Sequence, residues 1–97
     1  MKILAIEEEI DGVTPDQFPP HLEAEARQVW NLLQSGELRE IYFRQDRSSA
    51  GLVLECDTFA EANQVLSTLP LVQNSLIRFE VIPLKAYPSF SRLFTEP

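Results

Sequence analysis

Along this chain the hydrophobic pattern switches between the two-residue period of a strand and the period of about 3.6 of a helix, and the order of those switches constrains the fold more than any single motif. Lys2 to Glu8 is a short apolar run with Ile3 and Ala5 on one face and Leu4 and Ile6 on the other, the pattern of a strand covered on both sides. Asp11-Gly12, Thr14-Pro15 and Pro19-Pro20 then break the chain. From His21 to Ser35 the spacing becomes helical. Leu22, Ala26, Val29 and Leu33 form one stripe, Glu23, Arg27, Asn31 and Gln34 fall towards the other side, and Gly36 is a suitable stop.

Leu38 to Gln45 returns to alternation, with Leu38, Glu40, Tyr42 and Arg44 on one face and Arg39, Ile41, Phe43 and Gln45 on the other. A polar connection from Asp46 to Gly51 leads to a third strand, Leu52 to Cys56, which pairs with the second as a hairpin. Thr58 and Glu61 make a capping box opening a second helix whose apolar positions are Phe59, Ala62, Leu66 and Leu69. Pro70 ends or interrupts it, and Leu76 to Leu84 supplies a fourth strand.

The order strand, helix, strand, strand, helix, strand is that of an α+β, ferredoxin-like split βαβ fold: a four-stranded antiparallel sheet with two helices on one face. At 97 residues the chain has material for one modest core, so residues 1–97 are read as a single domain with 87–97 as a C-terminal arm carrying Phe90, Leu93 and Phe94. The opposite sheet face, where Phe43, Val53 or their neighbours must point, has no element left to cover it. Pairing with a second copy, as a homodimer or larger homo-oligomer, is the economical solution.

Charge excludes one large class of partner. Eight basic residues against fifteen acidic ones give a net charge of -7, which repels a polyphosphate backbone. The third strand also lacks the interleaved aromatic and basic residues on which RNA bases stack. No apolar run approaches the roughly 20 residues of a membrane span. The single Cys56 reads as a small buried hydrophobe. With an N-terminus that runs straight into Glu7-Glu8-Glu9, it points to a reducing cytoplasm.

Candidate chemistry is sparse. Glu40, Tyr42 and Arg44 share a strand face, so an acid, a phenol and a guanidinium can converge on one small carboxylated molecule, the carboxylate docking on Arg44. The competing reading is that Glu40 and Arg44 pair with opposite charges on neighbouring strands. His21, the only histidine, stands at a helix start that favours the neutral imidazole and so suits a base, or is simply exposed there. Trp30 beside the apolar stripe lines a pocket or only packs. His21 and Glu25 lack the further ligands a metal needs, and no phosphate loop, dinucleotide fingerprint or hydrolase elbow is present. No metal or cofactor is expected.

The last thirty residues or so carry a family resemblance. Leu69-Pro70-Leu71 closing the second helix, Phe79-Glu80-Val81, Leu84 and Pro88-Ser89, together with Leu38-Arg39 and Arg44 in the second strand, resemble the muconolactone isomerases. The resemblance implies a dimeric α/β barrel, further homo-oligomerisation, and a pocket between sheet and helices. It also implies an intramolecular isomerase shifting a proton on a small carboxylated or lactone substrate; on the residue reading above, His21 or Glu40 moves that proton and Tyr42, Arg44 and Trp30 bind the substrate. Two positions depart from the family: an acidic stretch stands where a basic residue is expected early in the first helix, and Tyr87 where a His precedes the Pro-Ser pair. A non-catalytic oligomeric module that binds a ligand or a protein is the alternative.

Overall fold

The computed structural model describes residues 1–95; the last two positions of the C-terminal arm, 96 and 97, lie outside the described residues. Four strands, β1 (Lys2–Glu9), β2 (Leu38–Phe43), β3 (Ala50–Glu55) and β4 (Ile77–Pro83), form one antiparallel sheet in the order β2-β3-β1-β4. Three α-helices lie between them in the described chain: α1 (Leu22–Ser35), α2 (Phe59–Ser67) and the short α3 (Pro70–Gln73). The α+β fold with its four-stranded antiparallel sheet is as the sequence implies, with β1 central.

The position of β1 follows from its two apolar faces. Ile3 lies opposite Leu54 and Pro83, and Ala5 opposite Leu52 and Val81. Ile3, Ala5, Leu52 and Leu54 are at most 1% exposed and share one cluster with Leu32 of α1 and with Ala62, Val65 and Leu66 of α2. Each large side chain so buried contributes about 1.5–3 kcal/mol, so this face carries the main core. On the other face Val53, Leu4 and Ile82 stand side by side across β3, β1 and β4 and stay only half-buried.

Strict alternation fails in β2. Leu38 pairs with Leu54 but Glu40 with Val53, a bulge that absorbs one residue and returns both Leu38 and Ile41 to the helix side. Leu38 therefore does not share a face with Glu40 and Tyr42. Phe43, opposite Ala50, is also on the helix side. Of the two residues expected on the open face, Val53 alone is there.

Thr58 Oγ1 accepts the Glu61 N–H at 3.1 Å, and Glu61 Oε2 reaches back to the Asp57 N–H at 3.0 Å. The Thr58 half of the expected capping box is formed, while the Glu61 carboxylate takes the N–H one residue before the N-cap instead of that of Thr58. Pro70 does interrupt the helix, but only to begin another: it opens α3, where its missing N–H costs nothing. Helix α1 ends at Gly36, whose φ of +85° belongs to the left-handed region.

After β4 the Leu84 N–H still donates to Lys2 O at 2.9 Å. Beyond it the described hydrogen bonds of the arm are internal, and the rings of Tyr87 and Phe90 meet edge to face at 4.8 Å. Phe90, Leu93 and Phe94 are exposed. Among the described residues no helix is long and apolar enough to cross a membrane.

Candidate functional site

The apolar stripe of α1 does not press fully onto the sheet. Only Leu32 of this helix is buried; Leu22 is 48% exposed. Between the helix and the sheet lies a cavity of about 340 Å³, lined from α1 by Leu22, Ala26, Val29, Trp30 and Leu33. The sheet contributes Ile41, Phe43, Ala50, Leu52 and Phe79, and Leu69 and Leu71 complete the apolar lining. The volume suits a small molecule of one ring with short substituents. Trp30 and Phe43, 61% and 70% exposed, stand in the lining as an aromatic rim open to solvent.

One polar side chain enters this lining, Glu25. It occupies the position three residues after Leu22, on the apolar side of α1, and is half-buried. Its Oε1 accepts the Leu71 N–H at 2.9 Å, while Oε2 has no partner among the described hydrogen bonds. Burial raises the pKa of this carboxyl above the usual range, against the lowering effect of the Leu71 hydrogen bond. A second half-buried carboxyl, Glu7, lies on the same sheet face, opposite the cavity-lining Phe79. Glu7 Oε1 accepts the Ala50 N–H at 3.2 Å. Burial pushes its pKa up too, the negative charges of Glu25 and Glu9 add to the rise, and the Ala50 hydrogen bond opposes it.

In the sequence Glu7 stands only as part of the acidic run Glu7-Glu8-Glu9, and Glu25 only beside His21 as half of an incomplete metal site. The signal that finds them is parity and period. Glu7 continues the Ile3, Ala5 face of β1, and Glu25 sits at helical spacing on an apolar stripe, both places where an unpaired acid is costly. Among the described residues no group of three His, Cys, Asp or Glu side chains is arranged to hold a metal ion.

Of the residues singled out from sequence, Trp30 lines the cavity and His21, Glu40, Tyr42 and Arg44 do not. His21 is the N-cap residue of α1, its backbone N–H bonded to Phe18 O at 2.9 Å, and its side chain provides no cap. Glu40 and Tyr42 are on the open face of β2 and bonded to each other, Tyr42 Oη donating to Glu40 Oε1 at 2.9 Å, which raises the pKa of the phenol. Arg44 turns away to Asp46, with Nε to Oδ1 at 2.8 Å and Nη2 to Oδ2 at 2.6 Å, a bidentate pair. That hydrogen bond holds the Asp46 carboxyl below its ordinary pKa.

No family model matches the sequence, and no curated protein does. Solved structures do match. A muconolactone isomerase superposes with a TM-score of 0.73 at 18% identity, covering 92% of this chain and 93% of its own. The chain has the muconolactone isomerase-like fold. The 5-chloro-2-hydroxyhydroquinone dehydrochlorinase of Burkholderia phenoliruptrix AC1100, in complex with 2,5-dihydroxybenzoquinone, shares it: TM-score 0.70, 14% identity, 88% of this chain and 94% of that one. Within the muconolactone isomerase-like fold, a cavity between sheet and helices is the place where this chain combines apolar walls with an acid.

Proposed function

We propose that this chain is a small isomerase- or lyase-like protein that moves a proton on a one-ring substrate held between α1 and the sheet. The observation that carries this reading is Glu25, a half-buried carboxyl of raised pKa in an otherwise apolar lining. A carboxylate whose pKa is raised above the usual range is a stronger general base than a solvated one. Glu25 takes a proton from a ring carbon and returns it to another position, the Leu71 N–H fixing one oxygen while the other reaches the ring. Glu25 replaces His21 and Glu40 in this role because it lines the cavity and they do not. Trp30 and Phe43 hold the ring by stacking at the rim.

The assembly proposed is a homodimer or larger homo-oligomer joined through the open sheet face, supported by the apolar row Val53, Leu4 and Ile82. A reducing cytoplasm is the proposed setting, in keeping with the free, buried thiol of Cys56.

The test is deuterium incorporation. Butenolides, with and without a carboxylate side chain, are incubated with the full chain in heavy water and the ring protons are followed by proton NMR. Wild type is expected to accelerate exchange over buffer, and Glu25→Gln to lose about a hundredfold or more of that acceleration, the scale of a general base. No acceleration on any ring, or an undiminished rate in Glu25→Gln, overturns the reading.

A further inference from the structure

Where the chain keeps its cations says which substrates the cavity refuses. Eight basic residues are present, Lys2, Arg27, Arg39, Arg44, Arg47, Arg78, Lys85 and Arg92, and none lines the cavity. Several are committed elsewhere: Arg27 to Glu23, Arg44 to Asp46, Arg39 to Gly36 O and Arg78 to Glu8. The first turn of α1, whose backbone N–H groups would otherwise attract an anion, itself carries Glu23 and Glu25. The N–H of Leu71, a lining residue, is already taken by Glu25. An anionic ring entering here leaves water, meets no compensating positive charge in the lining, and approaches the carboxyl of Glu25. Burying a charge without a partner is among the most expensive steps a site can ask of a ligand.

We infer that the cavity selects an uncharged single-ring ligand and excludes the corresponding ring carboxylate. The inference rests on reading this cavity as the ligand site, and it narrows the substrate class to neutral lactones, enones and phenol-like rings. A substrate carboxylate of the kind that sequence reasoning docked on Arg44 finds no acceptor in this lining.

The experiment uses the full chain and two rings that differ mainly in charge, benzamide and benzoate, at neutral pH. The protein has one tryptophan, so the indole N–H of Trp30 gives a single nitrogen–proton NMR resonance at the cavity rim. Benzamide is expected to shift that resonance saturably, and benzoate to need a concentration about tenfold higher or more, equivalent to the loss of one decade in affinity. In Glu25→Gln the gap narrows, because one repelling carboxyl is gone. Ala26→Phe, which puts a ring into the cavity from α1, abolishes the benzamide shift, and the dispersion of its spectrum reports that it is folded. Benzoate binding as tightly as benzamide overturns anion exclusion while leaving the cavity as a ligand site. If neither compound shifts Trp30, or both do so equally in Ala26→Phe, the cavity reading fails as well. A gap that Glu25→Gln leaves unchanged overturns Glu25 as its source.

Discussion

Glu25 of α1 accepts a 2.9 Å hydrogen bond from the backbone N–H of Leu71, forty-six residues away in α3, and so ties the helix that walls the cavity to a second helix whose Leu71 also lines it. The same contact satisfies a backbone donor at the start of α3 and holds a carboxylate against an apolar surface. The stability of the fold and the chemistry of the cavity therefore share one side chain.

That sharing has a pH signature. The pKa of Glu25 is raised from the ordinary value of 4.5, so the folded state binds its proton more tightly than the unfolded chain does. Its stabilising contribution is complete below about that ordinary value and is lost as pH rises through the higher folded value. Glu7 has the same sign. Urea unfolding from acid to neutral pH is expected to show stability falling across this window. Glu25→Gln, which keeps an oxygen for the Leu71 N–H, flattens part of the slope. A wild type whose stability rises steadily through the same window contradicts the assignment.

Arg44 tests the opposite expectation. Its guanidinium is held by Asp46 on an exposed loop, so Arg44→Lys is expected to leave both the melting temperature and the Trp30 response to benzamide unchanged. If Arg44 instead anchors a substrate anion, Arg44→Lys weakens the binding of a carboxylated ring, because a point charge replaces a bidentate fork. Titration of the variant with benzoate and with benzamide separates the two.

Much of the fold is legible from residue order. The Thr58 cap, the Gly36 stop and the two-faced apolar run of β1 are local signals, and each appears in the structure where its chemistry requires. The bulge between Leu38 and Glu40 is not legible, because nothing in Leu38-Arg39-Glu40 marks an extra residue; the register is set by the demand that both Leu38 and Ile41 reach the core. The pocket between sheet and helices is implied by the family resemblance and by Trp30 beside the α1 stripe, and Trp30 does line it; period alone does not reveal it. Leu22, Ala26, Val29 and Leu33 read as a core stripe, and periodicity reports which face is apolar without reporting whether that face meets side chains or a void.

Gly36 offers a backbone test free of packing. Its φ is +85°, and a Cβ placed there meets nothing within 4 Å, so Gly36→Ala carries only the left-handed penalty, about 1–2 kcal/mol. Chemical denaturation is expected to show that loss with an unchanged m-value, since the surface exposed on unfolding is the same. A loss far outside the range places a contact at Gly36 that the fold does not show.

The last prediction concerns assembly. Val53, Leu4 and Ile82 form a half-buried apolar row on a sheet face that, among the described residues, no helix covers, and each CH₂ buried there contributes about 0.8 kcal/mol. Charge frames the row: Glu40 stands next to Val53 on β2, and Glu8 pairs with Arg78 across β1 and β4 at 3.7 Å, which gives two copies a polar border around an apolar centre. Light scattering of the full chain at micromolar concentration is expected to give at least a dimer. Leu4→Lys, which sets two like charges within the pairing face, is expected to shift the population towards monomer while the helix-facing core, on the other side of β1, stays intact by circular dichroism. The arm adds a second, separable contribution. Phe90, Leu93 and Phe94 are 63%, 74% and 84% exposed, far more apolar surface than a free segment benefits from showing to water, and packing against a neighbouring subunit removes it. Deleting residues 88–97 is then expected to lower the oligomeric state or to promote aggregation. A full-length monomer refutes pairing through the sheet; an unaltered oligomer after truncation refutes only the role of the arm.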